Sequence, residues 1–296
     1  MKLLVNKIRN RLRMLVRHRL QMLLLANNFQ ISRTTDSSRL GQFLDGIKPV
    51  RTNHELIRLG SKNDGGYLVP NDLEGVEVCF SPGVSDLADF ERDLTKQGIK
   101  CFLADYSVDA PPFRSDLIDF EKKYLGTIEN EMFITLEHWV SQKAPQKSDF
   151  ILQMDIEGAE YGVIVDTSYE TLRKFRILVI EFHGLDRLCN KSGFEIINLT
   201  FTKLLKEFEV VHVHPNNYSP PIRYKGFIIP PILEFTFLRK DRISNKQRCG
   251  DFPHLLDRKN VPANKDYALP KCWYPQNSLE TAYRSNTSKS VAEHAR

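Results

Sequence analysis

Residues 150–160 read FILQMDIEGAE, an apolar run followed by three acids, Asp155, Glu157 and Glu160. The apolar part, 150–154, predicts a buried strand, and the acids come where that strand ends. In open α/β sheets, ligands bind at the carboxyl ends of the strands, near the point where the strand order reverses. The stretch therefore indicates an α/β fold with a site at this sheet edge, although the same acids could simply cap and begin the next helix.

Short apolar runs alternate with helical patterns after residue 76, which is typical of βα units in a mostly parallel sheet. The pattern predicts helices over 86–97 and 192–208. The predicted strands, in chain order, are 76–81, 100–104, 132–134, 150–154, 177–182, 210–213 and 232–238. The last run alternates apolar and polar residues, as a half-buried antiparallel strand does, and should form a hairpin-like pair with its predecessor. A mostly parallel sheet with a terminal antiparallel strand is the layout of Rossmann-like class I methyltransferases.

Charge is distributed unevenly along the 296 residues. Seven of the 42 basic residues and none of the 37 acids lie in 1–30, so the rest of the chain is slightly acidic. This balance argues against a nucleic-acid partner. Apolar residues at helical spacing predict a basic amphipathic helix over 1–26, with apolar runs too short to span a bilayer. We expect this helix to bind an anionic membrane surface or a partner; a helix that caps the catalytic domain is the alternative.

The chain is predicted to contain four segments: the basic helix 1–30, a linker and lead-in segment 31–58, the catalytic domain 59–240 and an irregular C-terminal extension 241–296. The extension has sparse hydrophobic residues, and we expect it to pack partly through Trp273 and Tyr274. The five cysteines include no C-x-x-C pair, which favours a reducing compartment. We therefore expect a cytoplasmic protein that is peripheral on a membrane through its N-terminal helix.

Several motifs, in the right order, resemble the FkbM-type methyltransferases, and closest among these the methyltransferase-like branch. They are DGGY at 64–67, FSPGVSD at 80–86, FE at 90–91, DIEGAEY at 155–161 and HVHPNNY at 212–218. The resemblance implies a Rossmann-like fold, S-adenosylmethionine as methyl donor and a hydroxyl acceptor, often on a sugar. Two positions depart from the family's pattern. The first loop lacks the usual D-x-G-A-x-x-G, and Gln153 stands where a basic residue is often found.

The resemblance also implies which residues hold the cofactor. Gly83 and Ser85 lie in the loop that should pass beneath the methionine part, and a glycine lets the backbone approach closely. Asp105 ends the second predicted strand and matches the acid that accepts hydrogen bonds from the two ribose hydroxyls. Glu91 and Asp64 are predicted to attract the ammonium group at the amino-acid end of the cofactor.

Asp155 is predicted to contact both the cofactor and the acceptor. His183 follows the fifth strand, whereas His212 and His214 alternate along the next strand and so face one side. We expect the acceptor hydroxyl to lie between Asp155 and these histidines, with one of them as general base. The four residues and Glu234 could instead assemble a divalent metal site. Their spacing matches no closed zinc pattern and the resemblance requires no metal, so none is predicted.

The sequence thus predicts an S-adenosylmethionine-dependent methyltransferase that methylates a hydroxyl on a glycan or another small acceptor. N- or carboxyl-methylation stays open, because the cofactor motifs do not distinguish between acceptors. A catalytically silent, membrane-associated scaffold with the same fold is the alternative from another functional class. Binding of the cofactor would separate the enzyme from the scaffold.

Overall fold

The computed structural model describes residues 2–29, 32–144 and 149–276. The end of the predicted extension, 277–296, lies outside the described residues. Within these ranges a seven-stranded sheet forms the centre of the molecule. Its strands are β1 (Val76–Pro82), β2 (Lys100–Ala104), β3 (Ile118–Glu121), β4 (Asp149–Met154), β5 (Phe175–Phe182), β6 (Phe208–Pro215) and β7 (Leu233–Arg239).

The order of strands across the sheet is β6, β7, β5, β4, β1, β2, β3. Strands β1 to β5 are parallel, and β7 runs antiparallel between β5 and β6. The order reverses between β1 and β4, so a crevice opens at the carboxyl ends of these two strands. This topology confirms the predicted Rossmann-like class I methyltransferase fold, including the antiparallel pairing of the last two strands.

Helices cover the sheet on both faces, and short strand pairs lie around it. The helices are α1 (Lys2–Leu25), α2 (Ser37–Gly46), α3 (Asp89–Lys96), α4 (Leu136–Lys143), α5 (Glu160–Asp166), α6 (Tyr169–Leu172) and α7 (Lys191–Glu207). Single 3₁₀ turns are Leu185–Cys189, Lys240–Arg242 and Lys271–Trp273. The small pairs are Val50–Arg51 with Gln247–Arg248, Leu56–Gly60 with Gly66–Pro70, Tyr124–Gly126 with Phe133–Thr135, and Ile222–Tyr224 with Phe227–Ile229.

The hydrophobic core has two layers, one on each face of the sheet. One layer contains side chains of α2, α4, α5 and α7, among them Trp139 and Phe201, which are fully buried. The other contains α3, through Phe90 and Leu94, and the hairpin built from Leu56–Gly60 and Gly66–Pro70. Because both faces are covered, a central strand such as β4 is buried from Phe150 to Met154 and shows no alternation of burial.

The third strand of the sheet lies at a different place from the one predicted. The strand predicted over 132–134 corresponds to Phe133–Thr135, which pairs with Tyr124–Gly126 outside the main sheet. The third parallel strand is Ile118–Glu121, which pairs with β2. This edge strand is only half-buried and reads IDFE, so its two acids hide the apolar signal that identifies a central strand.

Other predicted boundaries also change. The helix predicted over 86–97 begins at Asp89, because Ser85 has a φ of +43° and the chain first turns. Strand β7 is buried, not half-buried, since it lies between β5 and β6. Within the predicted linker 31–58, helix α2 places Leu40 and Leu44 in the core.

The two ends of the described chain differ in how far their side chains are buried. Helix α1 coincides with the predicted basic helix, and none of its described side chains is buried. In the part of the chain that the structure describes, no helix has the length and apolar character needed to cross a membrane. At the other end, Trp273 is fully buried and donates a hydrogen bond from Nε1 to the Ile228 oxygen at 2.9 Å, as the packing prediction requires.

Candidate functional site

A cleft of about 720 Å³ opens at the carboxyl ends of β1, β2 and β4. Small-molecule sites have volumes of about 300 to 1,000 Å³, so the cleft is large enough for such a ligand. All residues predicted to hold the cofactor line it, namely Asp64, Gly83, Ser85, Glu91, Asp105 and Asp155. Asp86 and Glu157 add two further acids, whereas no described lysine or arginine lines the cleft. This excess of acids favours a ligand that carries positive charge.

The loop after β1 approaches the loop after β4 at Gly83. This residue has a φ of +85°, and a Cβ here would lie 1.6 Å from the backbone oxygen of Asp155. Both the conformation and the close approach therefore require glycine. The Gly83 N–H donates to the Ala104 oxygen at 2.9 Å, at the end of β2. Backbone contacts thus hold together the three strand ends that line the cleft.

Asp105 is buried at the end of β2, and both of its carboxylate oxygens are hydrogen-bonded. Oδ2 accepts from the Ser85 N–H at 2.9 Å. Oδ1 accepts from the Ser107 N–H at 2.7 Å and from the Ser107 hydroxyl at 2.6 Å. These donors fix the direction of the carboxylate toward the cleft, where the sequence predicted that it binds a ribose.

Glu91 belongs to a buried polar chain that crosses one face of the sheet. Its carboxyl group is hydrogen-bonded to the Ser81 hydroxyl, which also lies 2.6 Å from Gln153 Oε1. Gln153 Nε2 donates to the Tyr67 hydroxyl at 3.2 Å. Burial raises the pKa of Glu91 to about 7. A hydroxyl has one proton to donate, so a protonated Glu91 can donate to Ser81 while Ser81 donates to Gln153. The amide at 153 is thus part of this chain.

Asp155 and His183 lie together at the ends of β4 and β5, as predicted. His183 Nε2 is 3.8 Å from Asp155 Oδ1, 3.8 Å from Glu181 Oε1 and 3.6 Å from Glu157 Oε2. These distances exceed those of normal hydrogen bonds. The other ring nitrogen, Nδ1, is 3.1 Å from Glu160 Oε1 and donates to it. One imidazole therefore turns Nδ1 to a buried carboxylate and Nε2 to a group of three acids.

Burial and mutual repulsion shift the pKa values of these groups. Burial raises the pKa of Asp155 to about 7, and neighbouring carboxylates add to the shift. Burial, together with the charges of Asp155 and Glu234, raises the pKa of Glu181 well above its ordinary value. Burial lowers the pKa of His183, but the hydrogen bond and the surrounding acids raise it further, so the net shift is upward. Shifts of this kind concentrate at functional sites.

His212 and His214 face the same side of β6, as predicted, but neither lines the cleft. His212 Nε2 lies 2.8 Å from Asp257 Oδ1, and His214 Nδ1 lies 3.6 Å from the same oxygen. Asp257 comes from the C-terminal extension, which packs against β6 and buries both imidazoles. The structure thus places these two histidines outside the cleft, where the extension covers them and Asp257 is hydrogen-bonded to His212.

Two buried glutamates on neighbouring strands extend the acidic site. Glu181 of β5 and Glu234 of β7 are register partners. Asn216 donates to Glu181 at 2.7 Å, while Asn260 of the extension donates to Glu234 at 2.5 Å and to Asp64 at 3.1 Å. Neither Glu181 nor Asn260 is among the site residues predicted from the sequence. A charged residue within the apolar run of β5 was a signal for Glu181, whereas nothing near Asn260 in the sequence indicated its contact.

Among the described residues, two groups have ligand atoms within 4.8 Å of one another. One group is Asp155, Glu181 and His183, and the other is Asp64, Glu181 and Glu234. His212 and His214 belong to neither, so the five-residue metal site considered from the sequence does not assemble. Asp155 Oδ1 and Glu181 Oε2 are buried and have no hydrogen-bond partner in the described part of the chain.

Comparison with solved structures finds matches of low identity and low TM-score. A fibrillarin/Nop5p complex shares 11% identity over 56% of this chain and 74% of that chain, with a TM-score of 0.35. A putative hemolysin from Streptococcus thermophilus shares 12% over 56% and 61%, with a TM-score of 0.32. Mitomycin 7-O-methyltransferase MmcR shares 10% over 57% and 50%, with a TM-score of 0.28. The fold assignment therefore rests on the strand order described above.

Sequence comparison gives a more specific result. No curated protein matches the chain. Residues 96–219 match the family described as the methyltransferase FkbM domain. This match covers β2 to β6 and includes the DIEGAEY and HVHPNNY motifs. The resemblance to FkbM-type methyltransferases predicted from the sequence is thereby confirmed over residues 96–219.

Proposed function

We propose that this protein is an S-adenosylmethionine-dependent methyltransferase that methylates a hydroxyl of a glycan or another small hydroxylated acceptor. The observation that carries the proposal is an acidic cleft, without a described basic side chain, at the switch point of an FkbM domain. When bound, S-adenosylmethionine supplies a methyl group on a positively charged sulfur. Its sulfonium and ammonium charges both suit an acidic cleft.

The residues that would hold the cofactor fit this role in three ways. Gly83 leaves the backbone bare where the strand ends converge. Asp105 offers a fixed carboxylate to the ribose hydroxyls; the Ser107 hydroxyl can rotate away from it and leave room for them. Asp64 supplies negative charge for the ammonium group, and the Glu91 carboxyl lines the same cleft. The network of buried partners keeps these groups in place before the cofactor arrives.

We place the acceptor hydroxyl between Asp155 and His183. In this arrangement Nε2 of His183 is the nearest nitrogen that can take the hydroxyl proton. Glu160 accepts a hydrogen bond from Nδ1 and so fixes the ring and favours its charged form. The Tyr161 hydroxyl donates to the His183 backbone oxygen at 2.9 Å and anchors the end of the strand.

The alternatives share the cofactor site and differ at the acceptor side. Carboxyl-methylation would bring an anionic acceptor beside Asp155 and Glu157, where like charges repel it. An amine acceptor does not meet this repulsion, so N-methylation is the stronger of these two alternatives. A silent scaffold would keep the fold but bind no cofactor.

Titration calorimetry with S-adenosylmethionine, followed by transfer of a labelled methyl group to a panel of glycans and small alcohols, tests the proposal. Lack of cofactor binding would favour the scaffold. His183→Ala should lower turnover by about two to four orders of magnitude with little change in cofactor affinity. His212→Ala is the matched control and should retain turnover, since its imidazole lies against the extension. Equal turnover in both variants would contradict the role of His183.

We also propose that α1 attaches the protein to an anionic membrane surface. Its apolar side chains are solvent-exposed, with Val5, Ile8 and Leu12 each more than half exposed. Arg9 and Arg13 flank this apolar stripe. A basic amphipathic helix with an uncovered apolar face binds such a surface through both its charges and its apolar area.

A further inference from the structure

We propose that Asp155, Glu181 and His183 form a binding site for a divalent transition-metal cation, of the Mn²⁺ or Zn²⁺ kind, on the acceptor side of the cleft. The three side chains come from the ends of β4 and β5 and each has one ligand atom within 4.8 Å of the others. Glu157 lies beside them, with Oε2 3.6 Å from His183 Nε2. The site adjoins the ammonium position assigned to the cofactor, because Glu181 also has a ligand atom within 4.8 Å of one on Asp64.

The distances around His183 Nε2 are those of atoms that share an ion. Asp155 Oδ1 and Glu181 Oε1 each lie 3.8 Å from Nε2. This distance is too long for a hydrogen bond and too short for a water molecule to lie between the two atoms. With metal–ligand bonds of about 2.1 Å, two ligands at right angles are about 3.0 Å apart and opposite ligands about 4.2 Å apart. The observed distances fall between these limits.

The hydrogen bond on the other side of the ring supports the same assignment. His183 Nδ1 donates to Glu160 Oε1 at 3.1 Å, and Glu160 is fully buried. A donated Nδ1–H leaves the lone pair on Nε2, where it faces the acids. In metal-binding histidines, the nitrogen that does not bind the metal almost always donates a hydrogen bond in this way. The bond fixes the ring and makes the other nitrogen a more basic metal ligand.

An unpartnered buried oxygen gives an independent indication of a ligand. The Glu181 side chain is 3% exposed, and its Oε2 has no hydrogen-bond partner among the described residues. Asp155 Oδ1 is unpartnered as well. Buried polar atoms normally have a partner, so these oxygens are free to bind one that the described residues do not supply. The other Glu181 oxygen, Oε1, accepts a hydrogen bond from Asn216. With no described lysine or arginine in the cleft lining, a bound cation is the partner that fits.

The donor set selects the class of metal. Imidazole nitrogen favours transition metals such as zinc, whereas carboxylates also suit manganese, so a mixed set fits Mn²⁺ and Zn²⁺ better than Ca²⁺. The role of the cation rests on the proposed methyltransferase function. The cation would bind the acceptor oxygen and lower the pKa of the acceptor hydroxyl. With the cation bound, Nε2 of His183 would be its ligand instead of the general base proposed above, and the hydroxyl proton would pass to solvent water.

Electron paramagnetic resonance of Mn²⁺ tests the site without cofactor or acceptor. The signal of free Mn²⁺ is titrated with the full chain, and Zn²⁺ is added as a competitor. We expect saturable loss of the free signal and its recovery with Zn²⁺. Asp155→Asn and Glu181→Gln should each weaken Mn²⁺ affinity at least tenfold, and Glu160→Gln about 10- to 100-fold. Asp257→Asn, which alters the other acid and histidine cluster, is the control and should leave the affinity unchanged.

Thermal melts of each variant establish that it is folded. Two results would overturn the proposal: a free Mn²⁺ signal that the wild-type protein does not diminish, or an affinity that neither Asp155→Asn nor Glu181→Gln weakens. Asp155 is partly exposed, so its variant is informative even if Glu181→Gln does not fold. Calorimetry with S-adenosylmethionine is read separately. If the protein binds S-adenosylmethionine but not Mn²⁺, only the metal site is rejected. If it binds Mn²⁺ but not S-adenosylmethionine, only the methyltransferase proposal is rejected.

Discussion

The backbone N–H of Ser85 donates a hydrogen bond to Oδ2 of Asp105 at 2.9 Å. This bond joins the loop after β1 to the end of β2, 20 residues later in the chain. One carboxylate therefore orders the loop and presents an acceptor to the cleft. The two roles can be separated by the choice of substitution.

Replacement of Asp105 should weaken S-adenosylmethionine binding. Asp105→Ala removes charge-assisted hydrogen bonds and should cost about 1 to 3 kcal/mol of binding free energy. Asp105→Asn keeps an oxygen for the Ser85 N–H and should retain more of the thermal stability while still losing affinity. Calorimetry and thermal melts measure the two effects. Asp116→Asn, at an exposed acid, is the control. Unchanged affinity in both Asp105 variants would remove this residue from the site.

Gly83→Ala should damage the cleft far more than Gly98→Ala. Both glycines have positive φ, +85° and +82°, so both variants meet the same backbone cost of about 1 kcal/mol. A Cβ at Gly98 meets no atom within 4 Å, whereas one at Gly83 overlaps the Asp155 oxygen. We therefore expect Gly83→Ala to lose about 2 to 5 kcal/mol of unfolding free energy, together with cofactor binding. Similar denaturant midpoints for the two variants would contradict the close approach.

The attachment of α1 to membranes should depend on its arginines. Removing three positive charges with Arg9→Gln, Arg13→Gln and Arg17→Gln should weaken binding to anionic vesicles by about 3 kcal/mol, because each basic residue contributes about 1 kcal/mol near such a surface. Co-sedimentation with phosphatidylserine vesicles measures this, and neutral vesicles serve as the control. If the triple variant sediments as well as the wild type does, charge does not drive the attachment.

The contact between Asp257 and the histidines of β6 should stabilise the fold in a limited range of pH. Burial raises the pKa of Asp257, but His212 and His214 lower it more, so the net pKa lies well below 3.8. This contribution is present above about pH 4 and is lost as the pH falls. Burial lowers the pKa of His214, yet Asp257 and Glu234 raise it above 6.5 overall, so its contribution is present below pH 6.5 and is lost as the pH rises.

The difference in melting temperature between wild type and Asp257→Asn should therefore be largest between about pH 4 and pH 6.5. We expect Asp257→Asn to lose about 1 to 3 kcal/mol of unfolding free energy in this range. The difference from wild type should be smaller at lower and at higher pH. Asp251→Asn is the control, since Asp251 is an exposed acid of the same extension and pairs with the exposed Arg51. A difference for Asp257→Asn that does not vary with pH would show that the ion pair does not stabilise the fold.

The sequence determined the features that depend on local pattern. The mainly apolar runs at 100–104 and 150–154 predicted two central strands, because a strand covered on both faces is rich in apolar residues. The acids that follow these runs, Asp105 and Asp155, were predicted at the sheet edge for the same reason. The family motifs then assigned Gly83 and Asp64 to one site, and the structure places all four in one cleft.

Tertiary structure decided the features that depend on which segments meet. Ile118–Glu121 is an edge strand with a mixed pattern, so only its pairing with β2 identifies it as the third strand. His212 lies beside Asp257, 45 residues away in the chain, and Asn260 contacts Glu234 from the same extension. The extension is irregular and polar, so it carries no periodic signal. The pairing of its few polar side chains is set by where the chain returns across the sheet, and the burial that shifts their pKa values exists only after that return.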